Sequence, residues 1–112
     1  MHELSVALGI VDAALEKVKD GRVVEVALAV GELTHINAEQ LALAFEVASR
    51  GTALEGARLK VRQIEARLRC VRCGARGESF TCERCGSAME VLQGEEILLE
   101  RLRVVEEDAP RE

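Results

Sequence analysis

The chain has 112 residues, 48% apolar and 31% charged, enough for one ordinary globular domain plus a small appendage. Its net charge of −5 argues against a general affinity for nucleic acid, and with Phe45 and Phe80 as its two aromatic residues any core must be aliphatic. No apolar run approaches the roughly 18 residues of a membrane span. An N-terminus with an acid at Glu3 and no cationic segment lacks the form of a secretory signal, so a cytoplasmic protein is expected.

Residues 4–19 carry a helical stripe of Leu4, Ala7, Leu8, Val11, Leu15 and Val18, with Asp12 and Glu16 on the opposite, wet face. Lys17 and Lys19 suit the negative end of the helix dipole, and Asp20-Gly21 supplies the stop. Residues 22–31 alternate as a strand, with Val24, Val26, Leu28 and Val30 on one face and Val23, Glu25, Ala27 and Ala29 on the other. Asn37-Ala38-Glu39-Gln40 reads as a capping box that starts a helix running to about Arg50, burying Leu41, Ala44, Phe45 and Ala48 before Gly51. Residues 57–66 make a second strand around Leu59, Val61 and Ile64, and residues 95–105 a third around Ile97, Leu98, Leu99, Leu102, Val104 and Val105. The expected fold is α+β: a small three-stranded mixed sheet with two helices and an inserted four-cysteine zinc-knuckle subdomain. Residues 1–66 and 93–112 would form the main domain, with 67–92 inserted at the tip of a hairpin made by the second and third strands. A finger carried in this way suits strand exchange, and both a monomer and a homodimer stay open.

All four cysteines fall in two C-x-x-C-G units, Cys70-Val71-Arg72-Cys73-Gly74 and Cys82-Glu83-Arg84-Cys85-Gly86. Two residues between thiolates let the backbone turn both sulfurs toward one ion, and the following glycine allows the positive φ that such a turn needs. Cys70, Cys73, Cys82 and Cys85 therefore read as a closed tetrahedral Zn(II) site. The alternatives are two reducible disulfides, disfavoured in a cytosolic chain, or a rubredoxin-like iron site, for which Phe80 alone is a thin aromatic lining. Five arginines in the finger (Arg67, Arg69, Arg72, Arg76, Arg84) face Glu78, Glu83 and Glu90. With four thiolates on zinc at −2, the loaded finger is near neutral, and the arginines read as compensating the thiolates.

Met1-His2-Glu3 forms a second constellation. The Met1 amine, the backbone nitrogens of His2 and Glu3 and the His2 ring can close fused chelate rings that suit square-planar Ni(II) or Cu(II). The first N–H groups of a helix have no internal acceptor, so their deprotonation breaks no helical bond. From spacing alone, a histidine near a terminus is most often a solvated side chain. His35, Glu32 and Asp12 read as capping or solvated surface, and no catalytic triad, phosphate-cradling loop or general acid–base pair stands out.

The segments "MHELSVALGIVDAAL", "VGELTHINAEQLALAFEVASRGTALEGARLKV", the two C-x-x-C-G units and "GEEILLERLRV" together resemble the HypA/HybF hydrogenase maturation family, nickel metallochaperones, over nearly the whole chain. The resemblance implies a nickel site beginning at Met1 and His2 and continuing into Glu3, with a structural zinc on the paired cysteines. It also implies delivery of Ni(II) to the large subunit of NiFe hydrogenase together with a GTPase partner, HypB. The eight-residue spacer between cysteine pairs is short for the family. Gly74 and Gly86 stand where some members carry a histidine, which favours a purely structural zinc. The competing reading is a zinc-ribbon module for protein or nucleic-acid interaction. It rests on the finger arginines and is opposed by the near-neutral finger and the lack of stacking aromatics. A metalloenzyme is the weakest reading, because four thiolates leave no open metal position.

Overall fold

The computed structural model describes residues 3–106. In chain order they form helix α1 (Glu3–Lys17), strand β1 (Arg22–Gly31), a 3-10 turn (Glu32–Thr34) and helix α2 (Ala38–Ala48). Strands β2 (Arg58–Ile64), β3 (Arg67–Cys70), β4 (Arg76–Gly77), β5 (Met89–Gln93) and β6 (Ile97–Val105) follow. They make two three-stranded sheets, ordered β2-β1-β6 and β4-β3-β5.

In the first sheet β1 is central, parallel to β2 and antiparallel to β6. The mixed three-stranded sheet with two helices is therefore present, but the expected hairpin is not. The strands on either side of the finger flank β1 and do not pair with each other. Two physical causes decide this. The crossover through α2 returns the chain parallel to β1. β1 is also buried from Glu25 through Gly31, whereas β2 and β6 carry Arg58, Lys60, Arg62, Glu100, Arg101 and Arg103, charges that suit sheet edges.

The alternation in β1 holds with one break. A register shift between Val23 and Glu25 turns Val23 into the core and leaves Val24 half-buried. Val23, Val26, Leu28 and Val30 then pack against Ala7, Ile10, Val11 and Ala14 of α1 and Leu41 and Phe45 of α2. The buried stripe of α1 is rotated from the expected one: Ile10 and Ala14 replace Leu4 and Leu8, which stand exposed. Small Ala7 and Ala14 let the helix lie close to the sheet. Leu54, in the loop before β2, completes the core.

Among the described residues, no helix lies on the other sheet face. Arg62 of β2 reaches across β1 to Glu100 of β6, its Nε and Nη2 donating to both carboxylate oxygens at 2.7–3.2 Å. Ala29 is fully buried and Ala27 nearly so, although both point to this face. The buried Glu25 carboxylate lies 3.6–3.7 Å from Lys60, Arg101 and Arg103.

The second sheet lies between β2 and β6 in sequence, and its two connections meet the 3-10 turn. The Ala66 N–H donates to the Glu32 carboxylate at 2.8 Å, and the Leu33 N–H to the Gly94 carbonyl at 2.8 Å. Glu32 is thus more than solvated surface. Gly31 is required by the close approach, since a Cβ there would strike the Gly94 carbonyl. The chain leaves at Glu65 and returns at Gln93, whose side-chain amide donates to the Glu65 carbonyl at 2.9 Å.

Candidate metal centre

β3 delivers Cys70 at its last residue, and the chain then turns so tightly that the Gly74 N–H donates to the Cys70 carbonyl at 3.1 Å. The second unit repeats the turn, with the Gly86 N–H donating to the Cys82 carbonyl at 2.9 Å. Gly74 and Gly86 adopt φ of 79° and 80°, the left-handed values expected of them. Within each turn two backbone N–H groups point at the first sulfur. Those of Arg72 and Cys73 lie 3.3 Å from Cys70 Sγ, and those of Arg84 and Cys85 lie 3.3 and 3.4 Å from Cys82 Sγ.

The two turns face one another. Cys70 Sγ lies 3.5 Å from Cys85 Sγ, Cys73 Sγ lies 3.7 Å from Cys82 Sγ, and all four sulfurs fall within 4.8 Å of one another. A tetrahedron with metal–sulfur bonds of roughly 2.3 Å has edges of about 3.8 Å, so the spacing fits one ion. All four thiols are unbridged, the state that a shared metal site needs. Cys70 and Cys82 are buried, and Cys73 and Cys85 form the outer side.

The electrostatics follow from the backbone. The Cys73 N–H, joined by that of Arg72, lowers the Cys70 thiol to about 6, and the Cys85 and Arg84 N–H groups lower Cys82. At Cys73 the Ala75 N–H favours the thiolate, but burial and the neighbouring Cys70, Cys82 and Cys85 sulfurs outweigh it and push the thiol up to about 11. Four sulfurs this close cannot all ionise without a cation among them. Arg72 and Arg84 serve the thiolates through their N–H groups, and the Arg69 guanidinium pairs with Glu90.

Of the residues read as a nickel site, Met1 and His2 lie outside the described residues. Glu3 opens α1, and its carboxylate accepts the Asn37 N–H at 3.0 Å. This contact was missed in the sequence. The Asn37 side chain caps α2 as expected, accepting from the Gln40 N–H at 2.9 Å. The reciprocal acceptor for its own N–H comes from Glu3, 34 residues away, instead of Gln40. His35 caps the 3-10 turn in a left-handed conformation, φ 58°, and is exposed.

Residues 1–104 match the family model described as HypA, hydrogenase/urease nickel incorporation, metallochaperone. The chain belongs to the HypA family. It is 35% identical to the hydrogenase maturation factor HypA of Rippkaea orientalis, over 95% of this chain and 97% of that one. It is 39% identical to that of Methanocaldococcus jannaschii, over 84% and 88%. The fold matches the solution structure of the Ni metallochaperone HypA from Helicobacter pylori, with a TM-score of 0.68 over 96% of this chain and all of that one at 23% identity. HypA proteins are maturation factors for nickel incorporation, and this member carries a four-cysteine metal-binding cluster.

Proposed function

We propose that the chain carries Ni(II) as cargo on its first three residues and passes it, in the cytoplasm, to the large subunit of a NiFe hydrogenase with a HypB-like GTPase as partner. The ligands are the Met1 amine, the His2 imidazole and the backbone nitrogens of His2 and Glu3, a set suited to a square-planar ion. Cys70, Cys73, Cys82 and Cys85 hold a permanent Zn(II), with no part in the transfer. In this division residues 1–66 and 93–112 are the nickel-binding unit and residues 67–92 the zinc-binding unit.

The observation that carries the reading is that Glu3 stands in the first turn of α1. The first N–H groups of that helix have no helical acceptor, so a metal can take the Glu3 nitrogen at no cost in helical hydrogen bonds. The Glu3 carboxylate is drawn to the Asn37 N–H, so the backbone nitrogen of Glu3, and not its side chain, is assigned to the ion. An open terminus can release its ion, whereas a closed thiolate cage cannot.

The test is nickel titration of the wild type, of His2→Ala, and of a chain with one residue added before Met1. Both variants should lose nickel binding while the zinc content stays the same. Wild-type binding should weaken below about pH 6.5, because protons compete for the imidazole and the amine. If both variants bind nickel as the wild type does, the terminal site is wrong. The nucleic-acid alternative loses one of its finger arginines, since Arg69 is paired with Glu90.

A further inference from the structure

The face of the first sheet turned away from the helices carries charge of one dominant sign. Successive side chains of a strand point to opposite faces. Leu59 and Val61 of β2 pack on the core, so Arg58, Lys60 and Arg62 stand on the open face. Arg101 and Arg103 of β6 join them there, paired in register with Ala27 and Glu25 of β1. Five cations thus meet two carboxylates, Glu25 and Glu100, which leaves this face at +3 on a chain of net charge −5.

The surplus is concentrated at one end. Beside Ala29 the Arg62 guanidinium and the Glu100 carboxylate neutralise each other. Around Glu25 one buried carboxylate gathers Lys60, Arg101 and Arg103 at 3.6–3.7 Å. That separation is longer than a hydrogen bond. Glu25 therefore draws the three heads together and leaves their N–H donors to other acceptors. The three side chains are 57%, 66% and 69% exposed. Charge of either sign would keep the edge strands from pairing with another sheet. That need does not explain three cations converging on one point, where they repel one another. A converged, exposed and under-neutralised cluster is suited to an anionic partner.

The rest of the chain selects the class of anion. Phe45 lies in the core and Phe80 on the finger, so this face has no aromatic platform for bases. The acidic remainder of the chain repels a phosphate backbone. Leu98, 46% exposed and paired with Ala29, extends the same face with an apolar patch. We propose that the open face of β2-β1-β6 is a docking surface for an acidic, extended segment of a partner protein, with carboxylates over Lys60, Arg101 and Arg103 and an apolar side chain on Leu98. Arg101 and Arg103 stand two residues apart on β6, about 7 Å, the spacing of alternate side chains on an extended chain. The docking does not rest on the N-terminal nickel reading, since α1 and α2 lie on the other side of the sheet.

The test uses the full chain and a labelled peptide of roughly 12 residues, long enough when extended to cross the face. It carries glutamate at alternate positions followed by leucine. A control peptide has glutamine for glutamate, and a single-stranded DNA oligonucleotide of similar length probes the other class of polyanion. The glutamate peptide should saturate by fluorescence anisotropy. It should shift the backbone amides of Lys60, Arg101 and Arg103 and leave those of Leu8 and Leu43 in place. Its affinity should fall with added salt, and the glutamine peptide should bind far more weakly. Arg101→Gln combined with Arg103→Gln should weaken the glutamate peptide by roughly tenfold or more. Lys17→Gln combined with Arg50→Gln removes the same charge from the helix side and should leave binding unchanged. The inference is overturned if the wild type does not bind the glutamate peptide, or if the glutamine peptide binds equally. It is overturned as well if the helix-side pair of substitutions weakens binding as much as the sheet-side pair. Tighter binding of the oligonucleotide than of the peptide would assign the face to nucleic acid and sink the proposal. So would peptide binding that appears only when residues 107–112 are removed, which would assign the face to the chain's own Glu107, Asp108 and Glu112.

Discussion

The two sheets have three strands each and are held together by opposite means. β2-β1-β6 lies under two helices over a continuous core of eleven buried residues, from Ala7 to Leu54. In β4-β3-β5 and the turns around it, Leu68 is the one buried aliphatic side chain among the described residues, beside Cys70 and Cys82. Its strands are four, two and five residues long, too short to stand by hydrogen bonding alone. A chain with two aromatic residues builds one aliphatic core and leaves its second unit to metal–ligand bonds.

The largest predicted effect separates the two units outright. Stripping the metal with a chelator should abolish hydrogen-exchange protection through Arg67–Gln93 and leave α1, β1 and α2 protected. Finger amides that stay protected in the stripped protein would mean that the second sheet has a stability of its own. The converse perturbation is Leu54→Ala, which empties a fully buried site in the first unit. It should cost about 2–5 kcal/mol of unfolding free energy. The charge-transfer spectrum of Co(II) bound to the four cysteines should not change. A cobalt spectrum that melts together with the helices would show one cooperative unit instead of two.

Much of this was legible in the residues. The two C-x-x-C-G units gave the metal turns down to the sign of φ at Gly74 and Gly86, because local covalent geometry decides such turns. The strong period of β1 and the Asn37 cap were readable for the same reason. What escaped depends on contacts distant in sequence. The central place of β1 follows from the α2 crossover and from charge at the edges, and a hairpin reading of its neighbours ignores both. The bulge at Val24 shifts which valine faces inward, and no local pattern marks it. Leu54 sits in a loop with no period to betray its burial. Glu3 meeting Asn37 could not be found from a capping box, which looks only a few residues ahead.

That Glu3 contact gives a prediction of intermediate size. Asn37→Ala removes the side-chain acceptor for the Gln40 N–H and should cost about 1 kcal/mol. Asn37→Asp keeps that acceptor but sets a second carboxylate near Glu3, so it should stabilise α2 less than a cap normally does. Chemical denaturation of the three proteins with their metal bound measures this. An aspartate variant more stable than the wild type would show that the two carboxylates do not sense one another.

The smallest effect concerns the bridge over β1. The hydrogen bonds from Arg62, reinforced by its charge and by that of Arg101, hold the Glu100 carboxyl below its usual range against the opposing effect of burial. A carboxylate with a depressed folded-state value stabilises the fold above its unfolded value, near about 4.3, and loses that contribution as pH falls through the folded value. Arg62→Gln should therefore lower stability slightly at neutral pH, with the deficit vanishing in acid. The arginine side chain is 63% exposed, so added salt should shrink the deficit as well. Followed through the helices, this acid limb belongs to the first unit alone, while the finger fails in acid when its thiolates are protonated. A deficit that is the same at neutral and acid pH would assign the role of Arg62 to the cover its side chain gives Ala27 and Ala29, through packing instead of charge.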